Sequence, residues 1–183
     1  MFLARIYLIN DTIKSIQFEV AGEVVMKLSK HDLKILELLQ IDAKTSIERL
    51  SEEAGLSTAS IQRRLKALRD NIVISQEVAV ISPSSVNQSM TFIISVQLDR
   101  NYSDCFNYFK TKVKNNTNIQ QCYYITGEAD FVLIVTAKDM DNFEEFTQLF
   151  FFGDGAVRHF KTSVVMGRTK VSLALPLNCV DLG

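Results

Sequence analysis

Apolar residues recur at helical spacing through the first part of the chain. In the second part they form short runs of strand character, separated by two further helical stretches. In "LSKHDLKILELLQ", Leu33, Leu36, Leu38 and Leu39 make a broad apolar face, and Ser29 with Asp32 three residues on reads as a capping-box start. "TSIERLSEEAG" repeats the pattern with Ile47, Leu50 and Ala54. Thr45 and Glu48 fit its capping box, and Gly55 ends it in the C′ position. "STASIQRRLKALRDN" opens on a capping Ser57 and carries the stripe Ile61, Leu65, Leu68. Only Gly55 and Leu56 separate the second and third helices. Such a short connection forces a steep crossing, with Leu56 in the corner, which is the helix-turn-helix arrangement.

Beyond Asn71, "IVISQEVAVIS" is rich in β-branched residues and reads as a strand leading away from the helices, ending at Pro83. "SPSSVNQS" supplies turn formers and little apolar content, as a domain boundary should. Then follow a strand "TFIISVQL", a helix "SDCFNYFKTKVKNN" with Cys105, Phe106, Phe109 and Val113 near one face, a strand "IQQCYYIT", a turn "GEAD" and a strand "FVLIVTA". A helix "DMDNFEEFTQLFF" carries Met140, Phe143, Phe146 and Leu149. A strand "VRHFKTSVVMG" comes next, and "KVSLALPL" is the candidate for a last one. Strand, helix, strand, strand, helix, strand is the split βαβ, ferredoxin-like plan. The expected fold is therefore α+β: a (winged) helix-turn-helix domain followed by a ferredoxin-like βαββαβ domain. Its helices cover one face of an antiparallel sheet. The strands carry apolar residues on both sides, so the open face is expected to pair two subunits.

The expected division is a leader of doubtful status at 1–25, a helix-turn-helix domain with its linking strand at 26–82, a linker at 83–90, and an effector and oligomerisation domain at 91–183. Two readings of the leader stand side by side. Either translation begins at Met26, or the segment is a small extra strand or hairpin.

The 183 residues carry a net charge of −1, so nucleic-acid binding must come from a local patch. Such a patch exists. "GLSTASIQRRLKALR" holds Arg63, Arg64, Lys66 and Arg69 with no acid among them. Ser57, Thr58, Ser60, Gln62, Arg63, Arg64 and Lys66 lie largely off the apolar stripe. Arg and Lys suit phosphates, Arg and Gln suit base edges, and small residues at the helix start permit close approach to double-stranded DNA. By charge alone, the residues are as well read as a solvated helix face. The capped first helix, the short turn and Gly55 favour the DNA reading.

Cys105, Cys122 and Cys179 are odd in number and widely spaced, which fits a reduced cytoplasmic setting better than a disulfide framework. No apolar run has the length of a membrane span. His31 and His159 lack neighbours at metal-ligand spacing, and no phosphate-loop, dinucleotide or nucleophile-elbow motif occurs, so no cofactor or metal is expected. Asp139, Asp141, Glu144 and Glu145 suit the positive end of a helix dipole. Leu149 to Phe152 reads as core or subunit interface.

Taken together, "LSKHDLKILELLQIDAKTSIERLSEEAGLSTASIQRRLKALRDNIVIS", "YYITGEADFVLIVTAKDMDNFEEF" and "TSVVMGRTKVSLALPL" resemble the Lrp/AsnC family of leucine- and asparagine-responsive (feast/famine) transcription regulators, from about Leu28 to Leu177. The resemblance implies a DNA-binding regulator that forms homodimers or higher homo-oligomers and takes a small-molecule effector, an amino acid, between effector domains. It places Gly127, Glu128, Ala129 and Asp130 along that pocket, with Thr162 and Ser163 as weaker candidates. The same four turn residues are equally read as an ordinary hairpin turn. The chain departs from the family at Ile72, where Gly is usual. Ile72 is disfavoured in a left-handed cap, so the helix is expected to end differently or to use Asn71. It departs also at Glu128-Ala129, where an aromatic is lost, and at Gly155-Ala156-Val157 in place of Pro-Gly-Val. Two alternatives remain: an enzyme resembling the sirohaem decarboxylases, with His159 and Arg158 as its candidates, and an effector-binding protein without DNA recognition.

Overall fold

The structure, a computed structural model, describes residues 26–99, 104–152 and 155–178. Both readings of the leader lie outside the described residues. The chain divides into two compact units. One comprises the described residues up to Glu77 together with 173–178, and the other runs from Val78 to Ser172.

The first unit is helical: α1 (Lys30–Ile41), α2 (Ile47–Ala54) and α3 (Thr58–Asp70). Each helix begins where a serine hydroxyl accepts a backbone N–H that the helix itself cannot satisfy. Ser29 accepts from Asp32 N–H while the Asp32 carboxylate accepts from Ser29 N–H, a complete capping box. The α2 cap is Ser46, not Thr45: Ser46 Oγ accepts from Arg49 N–H, and Thr45 Oγ1 donates instead to the Asp42 carbonyl. Sequence alone could not choose between adjacent hydroxyls, because the choice depends on which of them sits in extended backbone at the helix entry. Gly55 takes φ +65° and closes α2, so the turn to α3 needs only Leu56 before the Ser57 cap. Ile35, Leu36, Leu38, Leu50, Ala54, Ile61, Leu65 and Leu68 form the core, with Leu39, Leu56, Val73, Ile74 and Leu177 packed partly against it.

Ile72 does adopt the left-handed conformation, at φ +58°. Asn71 occupies the cap position at φ −92°, and its side-chain amide donates to the Ala67 carbonyl at 2.8 Å. The reversal is held in place because Val73 and Ile74 pack on the helical core and Ile74 N–H donates to the Leu68 carbonyl. Tertiary packing here outweighs the local preference of a β-branched residue.

The second unit holds β1 (Met90–Leu98), α4 (Cys105–Lys114), β2 (Ile119–Tyr124), β3 (Phe131–Ala137), α5 (Met140–Phe151) and β4 (Val157–Val164). The sheet order is β2-β3-β1-β4 and all neighbours are antiparallel, as the ferredoxin-like plan requires. Phe92, Ile94, Val96, Phe131, Leu133 and Val135 face Phe109, Val113, Phe143, Phe146 and Phe150 of the helices. Phe92 stacks on Phe143 with ring centroids 3.6 Å apart. The buried stripe of α5 differs from the expected one. Phe143, Phe146, Phe150 and Phe151 go inward while Met140 and Leu149 are exposed.

Two expected strands are absent among the described residues. Residues 72–82 and 169–177 run without strand pairing, and Val78, Val80, Ile81, Val171, Leu173 and Leu175 are exposed. β-branched and alternating sequences become strands only when another strand supplies hydrogen bonds, and no strand among the described residues pairs with either segment.

Candidate nucleic-acid interface and effector turn

Helix α3 sorts its side chains by its core stripe. With Ile61, Leu65 and Leu68 buried, Thr58, Gln62, Arg63 and Lys66 are exposed. Thr58, Gln62 and Lys66 recur every fourth residue and share one face, with Arg63 beside them. None of these four enters a side-chain hydrogen bond or ion pair among the described residues. Ser57 is spent on the cap: its Oγ accepts from Ser60 N–H at 3.3 Å and donates to Ser60 Oγ at 3.0 Å.

Arg64 is placed differently from its neighbours. Its Nη1 donates to Asp32 Oδ1 at 2.8 Å and to Ser29 Oγ at 3.0 Å, tying α3 to the start of α1. Asp32 is 1% exposed. Burial alone pushes its carboxyl up, but hydrogen bonds from Ser29 and the Arg64 guanidinium outweigh this and hold it below its ordinary value. Arg69 is likewise engaged, in a two-point pair with Glu77 at 2.9 and 3.2 Å. Asp32 was legible only as a cap; its position three residues after Ser29 gives no sign of an arginine 32 residues on.

The Gly127–Asp130 turn joins β2 to β3. Gly127 takes φ +129°, a conformation that suits glycine alone. The Gln97 side-chain amide donates to the Glu128 carbonyl, and Asp130 Oδ2 accepts from Leu98 N–H at 2.8 Å. The turn is thus pinned to the end of β1, and Gln97, unremarked in the sequence, is one of its fasteners. Thr162 does not join it. Thr162 pairs across from Ile94, four residues back along β1 from Leu98, roughly 13 Å at strand spacing, and on the helix-covered face. Ser163, across from Ile93, lies on the opposite, open face. A groove of about 630 Å³ between α4 and α5, lined by residues such as Tyr108, Asn115, Glu145 and Leu149, does not include the turn.

With this geometry in view, comparisons with known proteins agree on both units. Residues 28–69 match the AsnC-type helix-turn-helix domain and residues 91–175 the Lrp/AsnC ligand-binding domain. An HTH-type transcriptional regulator of Sinorhizobium fredii is 40% identical over 159 residues, covering 87% of this chain and 94% of its own. The chain belongs to the Lrp/AsnC family. A DNA-binding transcriptional activator of Escherichia coli is similar at 27% identity, covering 82% and 99% of the two chains. A transcriptional regulator of Neisseria meningitidis, solved in complex with L-Met, superposes with a TM-score of 0.78 at 32% identity, covering 82% of this chain and 97% of that one. This Lrp/AsnC protein is accordingly a DNA-binding transcriptional regulator with a domain for a small-molecule effector.

Two of this Lrp/AsnC member's departures acquire a structural meaning. Ile72 keeps the left-handed backbone that a Gly would supply. Ala156 is buried, so the segment before β4 packs inward without the proline. Of the pair considered for enzyme chemistry, His159 lies across from Gln97 on the open sheet face, and Arg158 falls at the register irregularity between β1 and β4, where it has no cross-strand partner. Among the described residues no helix is long and apolar enough to cross a membrane.

Proposed function

We propose that α3 enters the major groove and reads DNA through Thr58, Ser60, Gln62, Arg63 and Lys66, while Ser57 and Arg64 fix the helix in place. The observation that carries this reading is the exposed row of Gln62, Arg63 and Lys66 on the face opposite the core, without side-chain partners among the described residues. Two copies of the chain pair through the open sheet face. This is supported by the exposed Ile93 and Tyr123, and by the exposed apolar side chains of Val78, Val80, Ile81, Val171 and Leu173, which a second chain would cover. Pairing places two α3 helices on successive half-sites. The effector is an amino acid, supported by the L-Met complex of the Neisseria meningitidis relative. It sits against the Gly127–Asp130 turn at a junction between subunits, and Thr162 of the same protomer lies outside that contact. The protein works in the cytoplasm, without catalysis and without a cofactor.

The test is a gel-shift titration on the DNA upstream of its own gene, at several salt concentrations, with and without a panel of amino acids that includes L-Met. Arg63→Ala should weaken binding and lower the slope of log K against log salt by about 1, the loss of one phosphate contact. An unchanged slope and affinity in both Arg63→Ala and Lys66→Ala would remove α3 from the interface.

A further inference from the structure

Arg69 stands in the last turn of α3, further along the helix than Thr58, Gln62 and Lys66. The step from Thr58 to Arg69 is about three helical turns, so Arg69 falls in line with that exposed row. Recognition helices set their first turns on base edges. The row is about 16 Å long and the major groove about 12 Å wide, so its far end falls toward the phosphate-lined rim. An arginine there suits a phosphate, yet this one is already occupied. Arg69 Nη2 donates to Glu77 Oε1 at 2.9 Å, and Arg69 Nε donates to Glu77 Oε2 at 3.2 Å. Two parallel N–H···O bonds are also how a guanidinium grips a phosphate.

The pair is built by the end of the helix. The left-handed residue Ile72 reverses the chain, Ile74 N–H donates to the Leu68 carbonyl, and three residues later Glu77 reaches back to Arg69. Both partners lie within the helical unit, and neither has another ionic partner among the described residues. The tie between Arg64 and Asp32 is of another kind. There the acid side chain is 2% exposed and the arginine is fixed. Arg69 and Glu77 are 48% and 37% exposed, so an outside anion can reach the guanidinium. Such exposed pairs are weak, and a DNA backbone offers a dense row of competing anions.

We propose that Arg69 is a further phosphate contact of the DNA interface and that Glu77 is its internal competitor. In the free protein Glu77 holds the guanidinium, and on DNA it yields the guanidinium to phosphate. Each binding event therefore gives up one ion pair, which lowers the affinity for all DNA alike, because a phosphate carries no sequence. The proposal rests on the reading of α3 above.

The test is a set of gel-shift titrations at several salt concentrations with the full chain. The probes are a duplex selected from a random library by the wild-type protein and an unrelated duplex of the same length. The variants are Glu77→Gln, Arg69→Ala, the two combined, and Asp70→Asn with and without Arg69→Ala. Asp70 is exposed beside Arg69 and serves as the control for loss of one negative charge. Glu77→Gln should tighten binding about two- to fivefold for each protomer bound, equally on both duplexes. Arg69→Ala should lower the salt slope by about 1 for each protomer bound and abolish the gain from Glu77→Gln. Any gain from Asp70→Asn should persist without Arg69. Unchanged affinity in Glu77→Gln overturns the proposal, as does an unchanged salt slope in Arg69→Ala. A Glu77→Gln gain that survives Arg69→Ala also overturns it, since the gain would then come from charge removal alone. Wild-type protein that binds neither duplex, or binding indifferent to both Arg63→Ala and Lys66→Ala, would instead overturn the reading of α3 itself.

Discussion

Arg63 and Arg64 are adjacent in sequence and alike in charge, yet replacing each by alanine should damage different properties. In Arg64→Ala, Asp32 remains buried, at 1% exposure, and keeps only its two Ser29 donors. Removing one partner of a buried ion pair costs about 3–5 kcal/mol. The Arg64 side chain is 29% exposed, so water screens part of the interaction, and a loss of about 2–3 kcal/mol is expected. With a urea m-value of about 1 kcal/mol/M for so small a helical unit, the unfolding midpoint falls by about 2–3 M. Under conditions where the variant stays folded, its salt slope on DNA should match the wild type, because Arg64 donates to Asp32 rather than to phosphate. Arg63→Ala should show the reverse: an unchanged urea midpoint and a salt slope lowered by about 1. Helix-region unfolding followed by circular dichroism, paired with gel-shift titrations, measures both. If Arg64→Ala kept its midpoint and lost salt slope, the Asp32–Arg64 tie would be wrong, and Arg64 would be a DNA contact.

The same tie dictates a pH dependence. Asp32 titrates below its ordinary value of 3.8 in the folded chain, so its stabilisation is fully present above that value and is lost as pH falls through the folded one. Acid unfolding of the helical unit should therefore steepen below about pH 4, and Asp32→Asn should remove that steepening in a pH series of thermal midpoints. Ile72→Gly should raise stability by about 0.5–1 kcal/mol, since a left-handed residue with a side chain costs about 1–2 and glycine returns part of this as chain entropy. With Ile72 64% exposed, little packing is lost, and a lower thermal midpoint would show that no strain resides there. Gly127→Ala should destabilise the β2–β3 turn by about 1–3 kcal/mol. A Cβ there meets nothing within 4 Å, so the cost comes from φ +129° alone, and an unchanged urea midpoint would count against it. Ser57→Ala should cost about 1 kcal/mol through loss of the α3 cap, read by the same unfolding curves.

Features set within a few residues were legible in the sequence. Ser29, Ser57 and Gly55 end their helices as read, because a cap needs only a hydroxyl or a glycine beside a run of helical periodicity. The alternation of strands and helices also carried the ferredoxin-like order, because short connections leave few topologies open. The exposed row Thr58, Gln62, Arg63 and Lys66 followed from the buried stripe by helical geometry.

What only the tertiary structure decided depends on partners distant in sequence. Arg64 is drawn away from the exposed row of α3 by Asp32, and Ile72 is turned left-handed by the packing of Val73 and Ile74. Thr162 is parted from the Gly127–Asp130 turn by the register of β4 on β1. Residues 72–82 and 169–177 have the composition of strands but pair with no strand among the described residues. A strand is a relation between two segments, whereas a helix satisfies its hydrogen bonds from within one.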